Sequence, residues 1–444
     1  MKIALVRPNI GRLEHNLFVD EARMEPLELA VLAGLTPDDH EVVLFDDRVE
    51  EIAYDEPVDF VAVTIQTFTA RRAYEICAEY RRRGVPVVAG GTHVALCPEE
   101  ALCHADSIVT GDAEPVWAEV LADAQQARLK PRYESTVGVP HPDAFPNRTI
   151  YRGRKYLPIT LLQFGRGCGN RCDYCATSAV SRGSFYSREI DRVIQEIELQ
   201  DRRYLFFVDD NIINDVAAAK ELFRELAGLK VRWVSQASIS MTADLELMDL
   251  MTNSGCLGHV IGFESLDPRS LESVGKSINY SGARNRYATE IEVLRDYGLQ
   301  TWAAFTLGYD FDTAQSIKET FDFALQNKFA FAAYNILMPY PGTPLYNRLA
   351  SEGRLLFDQT WWLHKDYRFN HAAFVPRRMT PDVLTEIGFW CRSHYNSPMS
   401  ILRRVFDLKT NMRSFLKLGI YALYAPLFRR ETFKKQGMRL GLDE

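Results

Sequence analysis

Residues 164–175 read FGRGCGNRCDYC and contain three of the eight cysteines of the chain. This run follows directly on Leu157–Phe164, an apolar segment that predicts a buried strand. Thiolates this close in sequence can wrap one metal cluster, and the three glycines allow the tight backbone path that such a loop needs. The sequence therefore predicts a metal centre at the carboxyl end of a strand.

A four-iron cluster suits these cysteines better than zinc does. A structural zinc site takes four ligands, and the next cysteine or histidine after Cys175 is Cys256, far along the chain. Three thiolates on a four-iron cluster leave one iron open, and an open iron can bind a ligand or substrate. The other five cysteines are isolated and are interpreted as small apolar core residues: Cys77, Cys97, Cys103, Cys256 and Cys391.

Around the cysteine run, short apolar strands alternate with helical segments from residue 155 to residue 354. The predicted strands are Leu157–Phe164, Tyr204–Val208, Val231–Ser235, His259–Gly262, Thr301–Leu307 and Ala332–Leu337. Six strands separated by helices predict a partial, TIM-like (β/α)6 barrel in an α/β protein. Its active site is expected at the carboxyl ends of the strands.

The Cys-x3-Cys-x2-Cys spacing, with an aromatic residue before the last cysteine, resembles the radical S-adenosylmethionine (radical SAM) superfamily. The resemblance implies that Cys168, Cys172 and Cys175 hold a [4Fe-4S] cluster whose open iron chelates the amino and carboxylate groups of S-adenosylmethionine. One electron then cleaves the sulfonium to a 5'-deoxyadenosyl radical, and a flavodoxin- or ferredoxin-type reductant is implied. Tyr174 matches the aromatic residue that packs by the adenine.

Further segments resemble the cofactor-binding strand ends of this superfamily, in the expected order. Asp209 and Asp210 follow the second strand, Gln236 and Ser238 close the third, and Glu264 closes the fourth. At the fourth strand the family places an acid that contacts S-adenosylmethionine. The alternative for the second strand end is a simple helix cap.

Residues 1–126 also alternate strands with helices and predict a doubly wound, Rossmann-like domain with a parallel sheet. Residues 127–154 carry four prolines without helical periodicity and are interpreted as an extended linker. No Gly-x-Gly-x-x-Gly follows the first strand, which weighs against a dinucleotide ligand.

The strand ends of this first domain resemble the cobalamin-binding domain that is fused to some radical SAM enzymes. The candidate contacts are Asn9, Thr64, Gln66, Thr67, Gly90, Gly91, Thr92, His93, Gly111 and Glu114. The Asp-x-His-x-x-Gly signature that supplies a histidine to cobalt is absent, so the resemblance implies base-off cobalamin. Thr64, Gln66 and Thr67 are the candidates for the cobalt-facing loop, because the family places His93 in a turn. A degenerate domain that binds nothing is the alternative.

Residues 355–444 predict a mainly helical third unit. Its aromatic segment, residues 360–371, either caps the barrel mouth or packs in a core. After Ser400 basic residues outnumber acidic ones, which leaves two interpretations. The first is a basic amphipathic helix on an anionic membrane surface, with Leu416, Ile420, Leu423 and Leu427 on its buried face. The second is a helix docked on the barrel with a solvated basic face.

Composition and charge are those of an ordinary globular protein. The chain is 47% hydrophobic and 25% charged over 444 residues, which suits two domains and an appendage. Its net charge of -7 weighs against nucleic-acid binding. We expect a cytoplasmic location, because the N-terminus lacks a signal-peptide pattern and no run approaches the roughly 18 apolar residues of a membrane-spanning helix.

Together the resemblances imply a cobalamin-dependent radical SAM enzyme. The favoured reaction is methylation of an unactivated carbon of a small-molecule or lipid substrate through methylcobalamin. Two alternatives stay open: ring formation, oxidation or rearrangement with the same cofactors, and a non-enzymatic carrier of cobalamin or the cluster. The shared residues generate the radical and do not fix its fate.

Overall fold

The protein is built from two six-stranded parallel sheets and a C-terminal helical unit. The computed structural model describes residues 1–13, 24–142, 144–279 and 287–442. Among these residues no helix is both long enough and apolar enough to cross a membrane.

The N-terminal sheet is doubly wound, which confirms the predicted fold class. Its strands, in the spatial order β2-β1-β3-β4-β5-β6, are β1 (Lys2–Arg7), β2 (Glu41–Asp46), β3 (Phe60–Thr64), β4 (Val87–Gly90), β5 (Ser107–Thr110) and β6 (Arg132–Glu134). Its helices are α1 (Leu27–Leu35), α2 (Ala70–Arg82), α3 (Thr92–Leu96), α4 (Pro98–His104) and α5 (Trp117–Gln125). Successive side chains of a strand point to opposite faces, so Ala4 and Val6 pack in the core with α2, while Ile3 and Leu5 pack in the core with α1.

One strand of this sheet lies inside the segment that the sequence suggested as a linker. β6 pairs in parallel with β5, with Ile108 opposite Arg132. The Tyr133 side chain is buried, and its hydroxyl donates to Asp123 Oδ2 at 2.9 Å. Three residues between prolines are too short to show a strand's alternation, so this edge strand could not be recognised from the sequence pattern.

The second sheet is a partial barrel of six parallel strands in sequence order, β7 followed by β10 to β14. The strands of this region are β7 (Thr160–Leu162), β8 (Gly165–Gly167), β9 (Phe185–Ser187), β10 (Tyr204–Phe207), β11 (Arg232–Ala237), β12 (Cys256–Glu264), β13 (Gln300–Leu307) and β14 (Phe331–Ile336). The helices are α6 (Ala176–Ser181), α7 (Ile190–Glu198), α8 (Val216–Ala227), α9 (Leu245–Asn253), α10 (Pro268–Ser273), α11 (Tyr287–Asp296), α12 (Ala314–Gln326) and α13 (Pro344–Ser351). β8 and β9 form a separate antiparallel hairpin around the cysteine run.

The C-terminal unit contains α14 (Pro381–Tyr395), α15 (Pro398–Val405) and α16 (Phe415–Lys435). Its aromatic segment packs in a core, one of the two outcomes that the sequence left open. Trp361, Trp362 and Tyr367 are buried in the same core as α2 of the N-terminal domain. The end of the chain returns to that domain as well, where Gly441 forms a β-bridge with Gly11.

Candidate active site

Asp209 fastens the loop that carries the three cysteines. Its carboxylate, just beyond β10, accepts hydrogen bonds from the N–H of Phe164 at 3.0 Å and from the N–H of Gly165. Burial raises the pKa of this carboxyl to about 7, against the opposing effect of these bonds. Each oxygen accepts one of these hydrogen bonds, so Asp209 fixes the start of the cysteine loop, and its contact with a cofactor stays a prediction.

Backbone hydrogen bonds hold the rest of the loop. The N–H of Gly169 donates to Asn214 Oδ1 at 2.8 Å, and the N–H of Asp173 donates to the carbonyl of Val274 at 3.0 Å. Gly167 has a φ of +82°, and a Cβ there would lie 2.3 Å from the Ser184 carbonyl oxygen. Only glycine fits this position, as the glycine-rich sequence predicts.

The three cysteines of the loop are free thiols. Cys172 is buried, and Cys168 and Cys175 are half-buried. In a four-iron cluster each of three thiolates binds its own iron and one iron stays open. Burial raises the pKa of Cys172 to about 11, so bound iron would be what keeps it a thiolate.

Glu264 is aimed into the barrel by an irregular strand end. Its φ of 64° lies in the left-handed region, and the pairing of β12 with β13 shifts register between Gly262 and Glu264. Glu264 Oε2 accepts a hydrogen bond from Thr306 Oγ1 at 2.7 Å, and Oε1 lies 3.4 Å from Lys276 Nζ. A Cβ on Gly262 would lie 2.4 Å from Glu264 Oε1, so a larger residue there would displace this carboxylate.

Lys276 places a cation beside the cysteine loop, and the sequence gave no signal for it. Burial opposes its charge, but the Glu264 carboxylate and the three thiols together raise the pKa of Lys276 above its usual value. The segment around Lys276 contains no motif, so its approach to the cysteines follows only from the path of the folded chain.

Tyr174 lies in an aromatic wall at the same end of the barrel. Its ring meets the Tyr309 ring edge-on, with centroids 6.2 Å apart, and burial raises the pKa of Tyr174 well above its usual value. The turn that carries Tyr309 is closed by Asp312 Oδ2, which accepts from the N–H of Gly308 at 2.8 Å and from the N–H of Tyr309 at 3.0 Å.

The other predicted strand-end residues gather at this end of the barrel. Their hydrogen bonds join Asp210 to Thr177 Oγ1 (3.0 Å), Gln236 Nε2 to the Asp209 carbonyl (3.3 Å) and the Ser238 N–H to Asn211 Oδ1 (3.0 Å). The structure therefore places the polar groups of β10, β11 and β12 next to the cysteine loop.

A cavity of about 390 Å³ lies between the carboxyl end of the N-terminal sheet and the barrel. Six candidate cobalamin contacts line it: Thr64, Gly90, Gly91, Thr92, Gly111 and Glu114. Four candidates lie outside its walls: Asn9, Gln66, Thr67 and His93. Gln66 is exposed, and Thr67 and Asn9 are buried elsewhere, so of the predicted cobalt-facing loop only Thr64 reaches the cavity.

The glycines around this cavity permit close approach of a broad ligand. Gly91 has a φ of +104°, and a Cβ there would lie 2.7 Å from the Ile65 carbonyl oxygen. Gly111 has a φ of +84°, and a Cβ there would lie 2.1 Å from the Ser135 carbonyl oxygen. At these two positions the cavity wall is backbone without a side chain, so a ligand can approach the main chain closely.

His93 belongs to a buried hydrogen-bond network instead of the cavity wall. Its Nε2 lies 2.9 Å from Glu100 Oε1, and its Nδ1 lies 3.3 Å from Thr67 Oγ1. Glu100 also accepts from the Tyr74 hydroxyl at 2.9 Å and from Trp362 Nε1 at 3.1 Å. The sequence named His93 as a candidate cofactor contact, but these partners turn its ring into the core.

Arg166 joins the cysteine loop to the N-terminal domain, and sequence reasoning overlooked it. Its guanidinium forms ion pairs with Glu114 at 2.6 Å and with Asp112 at 2.8 Å, and it lies in the cavity wall. It stands two positions before Cys168. The sequence signal for it is the arginine within residues 164–175, because a basic residue that is buried beside a cluster loop needs an acidic partner.

Known families match the two halves of this geometry. The radical SAM superfamily matches residues 162–324, and the B12 binding domain matches residues 17–121. Bacteriochlorophyllide d C-12(1)-methyltransferase from Chlorobaculum tepidum is 30% identical over 402 residues, which cover 87% of this chain and 85% of that protein. The chain belongs to the cobalamin-dependent radical SAM methyltransferase family.

One further relative and one solved structure also resemble this radical SAM enzyme. Bacteriochlorophyllide d C-8(2)-methyltransferase from the same organism is 31% identical over 392 residues, covering 82% of this chain and 84% of that protein. The solved structure of the radical SAM methyltransferase TsrM from Kitasatospora setae superposes with a TM-score of 0.61 at 19% identity, covering 79% of this chain and 76% of TsrM. The latter likeness concerns the fold. The predicted family and enzyme class are confirmed.

Proposed function

We propose that this radical SAM enzyme methylates an unactivated carbon of a small molecule or lipid at the junction of its two sheets. The supporting observation is Arg166, which lies in the wall of the glycine-lined cavity and only two residues from the first cysteine of the loop. The cysteine loop thus contributes a residue to the cavity wall, and the proposal sets the two cofactor sites side by side. Proximity of this kind is what transfer of a methyl group to a substrate radical requires.

The proposed roles follow from the placement of the side chains. Cys168, Cys172 and Cys175 hold the cluster, at which S-adenosylmethionine supplies the radical while cobalamin supplies the methyl group. Tyr174 packs by the adenine. Glu264, held by Thr306, binds the methionine end of S-adenosylmethionine.

Lys276 and Asp209 support that arrangement without taking part in the reaction. The ammonium of Lys276 balances the charge of Glu264 and of the thiolates, which lowers the cost of burying them. Asp209 fixes the start of the loop through the N–H groups of Phe164 and Gly165.

We further propose that cobalamin binds base-off, without a histidine on cobalt. The chain lacks the Asp-x-His-x-x-Gly signature. Among the described residues that line the cavity there is no histidine, cysteine or methionine, and His93 is held by Glu100 outside it.

A flavodoxin- or ferredoxin-type protein is the proposed electron donor. The cysteine loop reaches the surface at Gly169 and Arg171, both of which are exposed. A cluster held by this loop would lie close enough to the surface to accept one electron from a docked protein. The basic side chain of Arg171 favours an acidic partner.

The test uses the full chain, reconstituted anaerobically with iron, sulfide and hydroxocobalamin. With a chemical reductant, we expect the wild type to release 5'-deoxyadenosine and the Cys172→Ala variant to release none, because the cluster loses a ligand. Cys103→Ala, which removes an exposed cysteine outside the loop, is the control and keeps wild-type cleavage. Equal cleavage by Cys172→Ala would contradict the cluster assignment.

The substrate test uses S-adenosylmethionine with a trideuterated methyl group and measures, by mass spectrometry, whether that group appears in the product. A bacteriochlorophyllide is the first substrate to try, since the two curated relatives described above act on one. A labelled methyl group in the product supports methylation. A product that has lost hydrogen and carries no label would instead support ring formation or oxidation.

A further inference from the structure

The solvent-exposed face of α16 is apolar, which is unusual for a helix on a protein surface. Phe415 is 95% exposed and Leu423 is 62% exposed, and Gly419, Ala422 and Pro426 are exposed between and beyond them. These residues follow one another at helical spacing along a single face. A helix that is apolar all round is normally buried on every side.

The opposite face of α16 is already packed against the barrel. Tyr421 and Ala425 are buried there, and the Phe428 ring lies 4.4 Å from the Trp302 ring and 4.9 Å from the Phe331 ring, centroid to centroid. Contact with the barrel therefore explains only one of the two apolar faces.

This arrangement differs from the membrane-facing surface suggested by the sequence. Of the four leucine and isoleucine positions expected on that face, Leu416, Ile420 and Leu427 are half-buried, and only Leu423 is exposed. The inner face of α16 packs on the barrel, as the interpretation of a docked helix predicts. The outer face, however, carries exposed apolar residues over 415–426, where that interpretation predicts a solvated basic surface.

The neighbouring segment extends the apolar surface. Met399, Leu402 and Phe406 lie three and four residues apart on α15 and at its end, and they are 74%, 52% and 61% exposed. Leu408, in the connection to α16, is 78% exposed. The Tyr421 hydroxyl donates to the Ile401 carbonyl at 2.8 Å, which ties the two helices together. We call Met399, Leu402, Phe406, Leu408, Phe415 and Leu423 the C-terminal patch.

More than half of the exposed large apolar side chains in the described residues lie between residues 399 and 442. Elsewhere such side chains are scattered singly, as is normal for a protein surface. Their concentration on two adjoining helices marks an interaction surface.

The exposed charges within this segment are all basic. Arg403, Lys409, Arg413 and Lys434 are exposed, whereas Asp407 is buried in an ion pair with Arg295 (2.9 Å) and Glu431 is half-buried. Asp296, which pairs with Lys409 at 2.7 Å, is an exposed acid at the edge of the segment. The local excess of positive charge contrasts with the net charge of -7 of the chain.

We propose that the C-terminal patch binds the surface of an anionic lipid bilayer. Exposed apolar side chains bounded by arginine and lysine are suited to the boundary between headgroups and acyl chains. A second copy of the chain is a poorer occupant, because a two-fold contact through this surface would set basic residues against basic residues. The absence of a spanning helix among the described residues agrees with contact at the surface only.

The test measures sedimentation of the full-length holoenzyme with lipid vesicles. We expect binding to phosphatidylglycerol vesicles, much weaker binding to phosphatidylcholine vesicles, and release as salt is raised. Binding that is equal for the two lipids would overturn the charge argument, and no sedimentation with either would overturn the proposal.

The double variant Phe415→Ser with Leu423→Ser tests the patch itself. Both positions are exposed, so the fold is expected to survive, and the partition coefficient on phosphatidylglycerol should fall about tenfold or more. Leu199→Ser, at a position 69% exposed outside the patch, is the matched control and binds as the wild type does. In vesicle-free buffer all variants cleave S-adenosylmethionine at the wild-type rate, which separates this result from the proposed function.

Two outcomes of the variant experiment would overturn the proposal. One is unchanged vesicle binding by the double variant. The other is a dimer, seen by analytical ultracentrifugation, that the double variant loses, since the patch would then be a contact between copies.

Discussion

At the scale of single residues, the sequence predicted the chemistry better than the contacts that support it. The three cysteines and Tyr174 were singled out because their spacing resembles that of the radical SAM superfamily. Arg166, Lys276 and the fastening role of Asp209 were not, because each depends on a partner that lies 12 to 52 residues away in the chain. Contacts between side chains that are far apart in the sequence leave no local pattern in it.

Gly111 offers a residue-scale prediction with a built-in control. Gly111→Ala should cost a few kcal/mol of unfolding free energy and lower cobalamin retention, because the new Cβ would lie 2.1 Å from the Ser135 carbonyl oxygen. Gly84 has a similar φ of +76°, and no atom lies within 4 Å of an added Cβ. Gly84→Ala is therefore the control and should cost only about 1 kcal/mol of backbone strain.

Urea denaturation and the visible spectrum of bound cobalamin report the two quantities. Equal loss of stability and full cobalamin retention in both variants would contradict this prediction, because the contact of Gly111 with Ser135 would then not shape the cavity.

At the scale of elements, the alternation of strands and helices in the sequence predicted both sheets. The strands that were missed or given wrong bounds are short ones. β6 was hidden among prolines, and β7 is shorter than the predicted Leu157–Phe164 because the chain turns where Asp209 binds the N–H groups of Phe164 and Gly165. Hydrophobic periodicity detects a strand of five or six residues, but three residues cannot display it.

β12 carries a buried histidine that should make the barrel sensitive to acid. His259 is 3% exposed, with its Nδ1 2.9 Å from Ser235 Oγ, and burial lowers its pKa to about 3. The unfolded chain therefore binds one more proton between about pH 6.5 and pH 3. Stability should fall with decreasing pH in that window, by up to about 1.4 kcal/mol per pH unit from this group.

The His259→Gln variant removes this contribution, so its unfolding free energy should depend less steeply on pH between 6 and 4. His394→Gln, at an exposed position, is the control and should keep the wild-type slope. Denaturant unfolding at several pH values measures the slopes, and identical slopes for wild type and His259→Gln would refute the assignment.

At the scale of the whole molecule, the three units are less separate than the sequence suggested. The tryptophan segment that follows the barrel is part of the N-terminal core, with Trp361 Nε1 donating to the Pro339 carbonyl at 2.9 Å. Composition shows that this segment is aromatic, but it does not show which hydrophobic core the segment joins.

Trp361→Ala should therefore destabilise the N-terminal domain, although Trp361 lies far from that domain in the sequence. Loss of a fully buried tryptophan costs about 3 to 5 kcal/mol. The void left by the ring would lie against Phe68 of the N-terminal domain, so cobalamin retention should fall. Trp390→Ala, which removes a ring packed 4.8 Å from Phe321 of the barrel, is the control and should lower stability while sparing cobalamin. Equal cobalamin loss in both variants would mean that general destabilisation is responsible.

The return of the chain to its own beginning also sets an order of events during synthesis. Trp361, Trp362, Tyr367 and Leu440 complete the N-terminal core, yet they leave the ribosome after the whole barrel has been made. The first domain to be translated is thus among the last to reach its final packing. A chain that ends within the barrel lacks these residues, so we expect it to bind cobalamin more weakly than the full chain does.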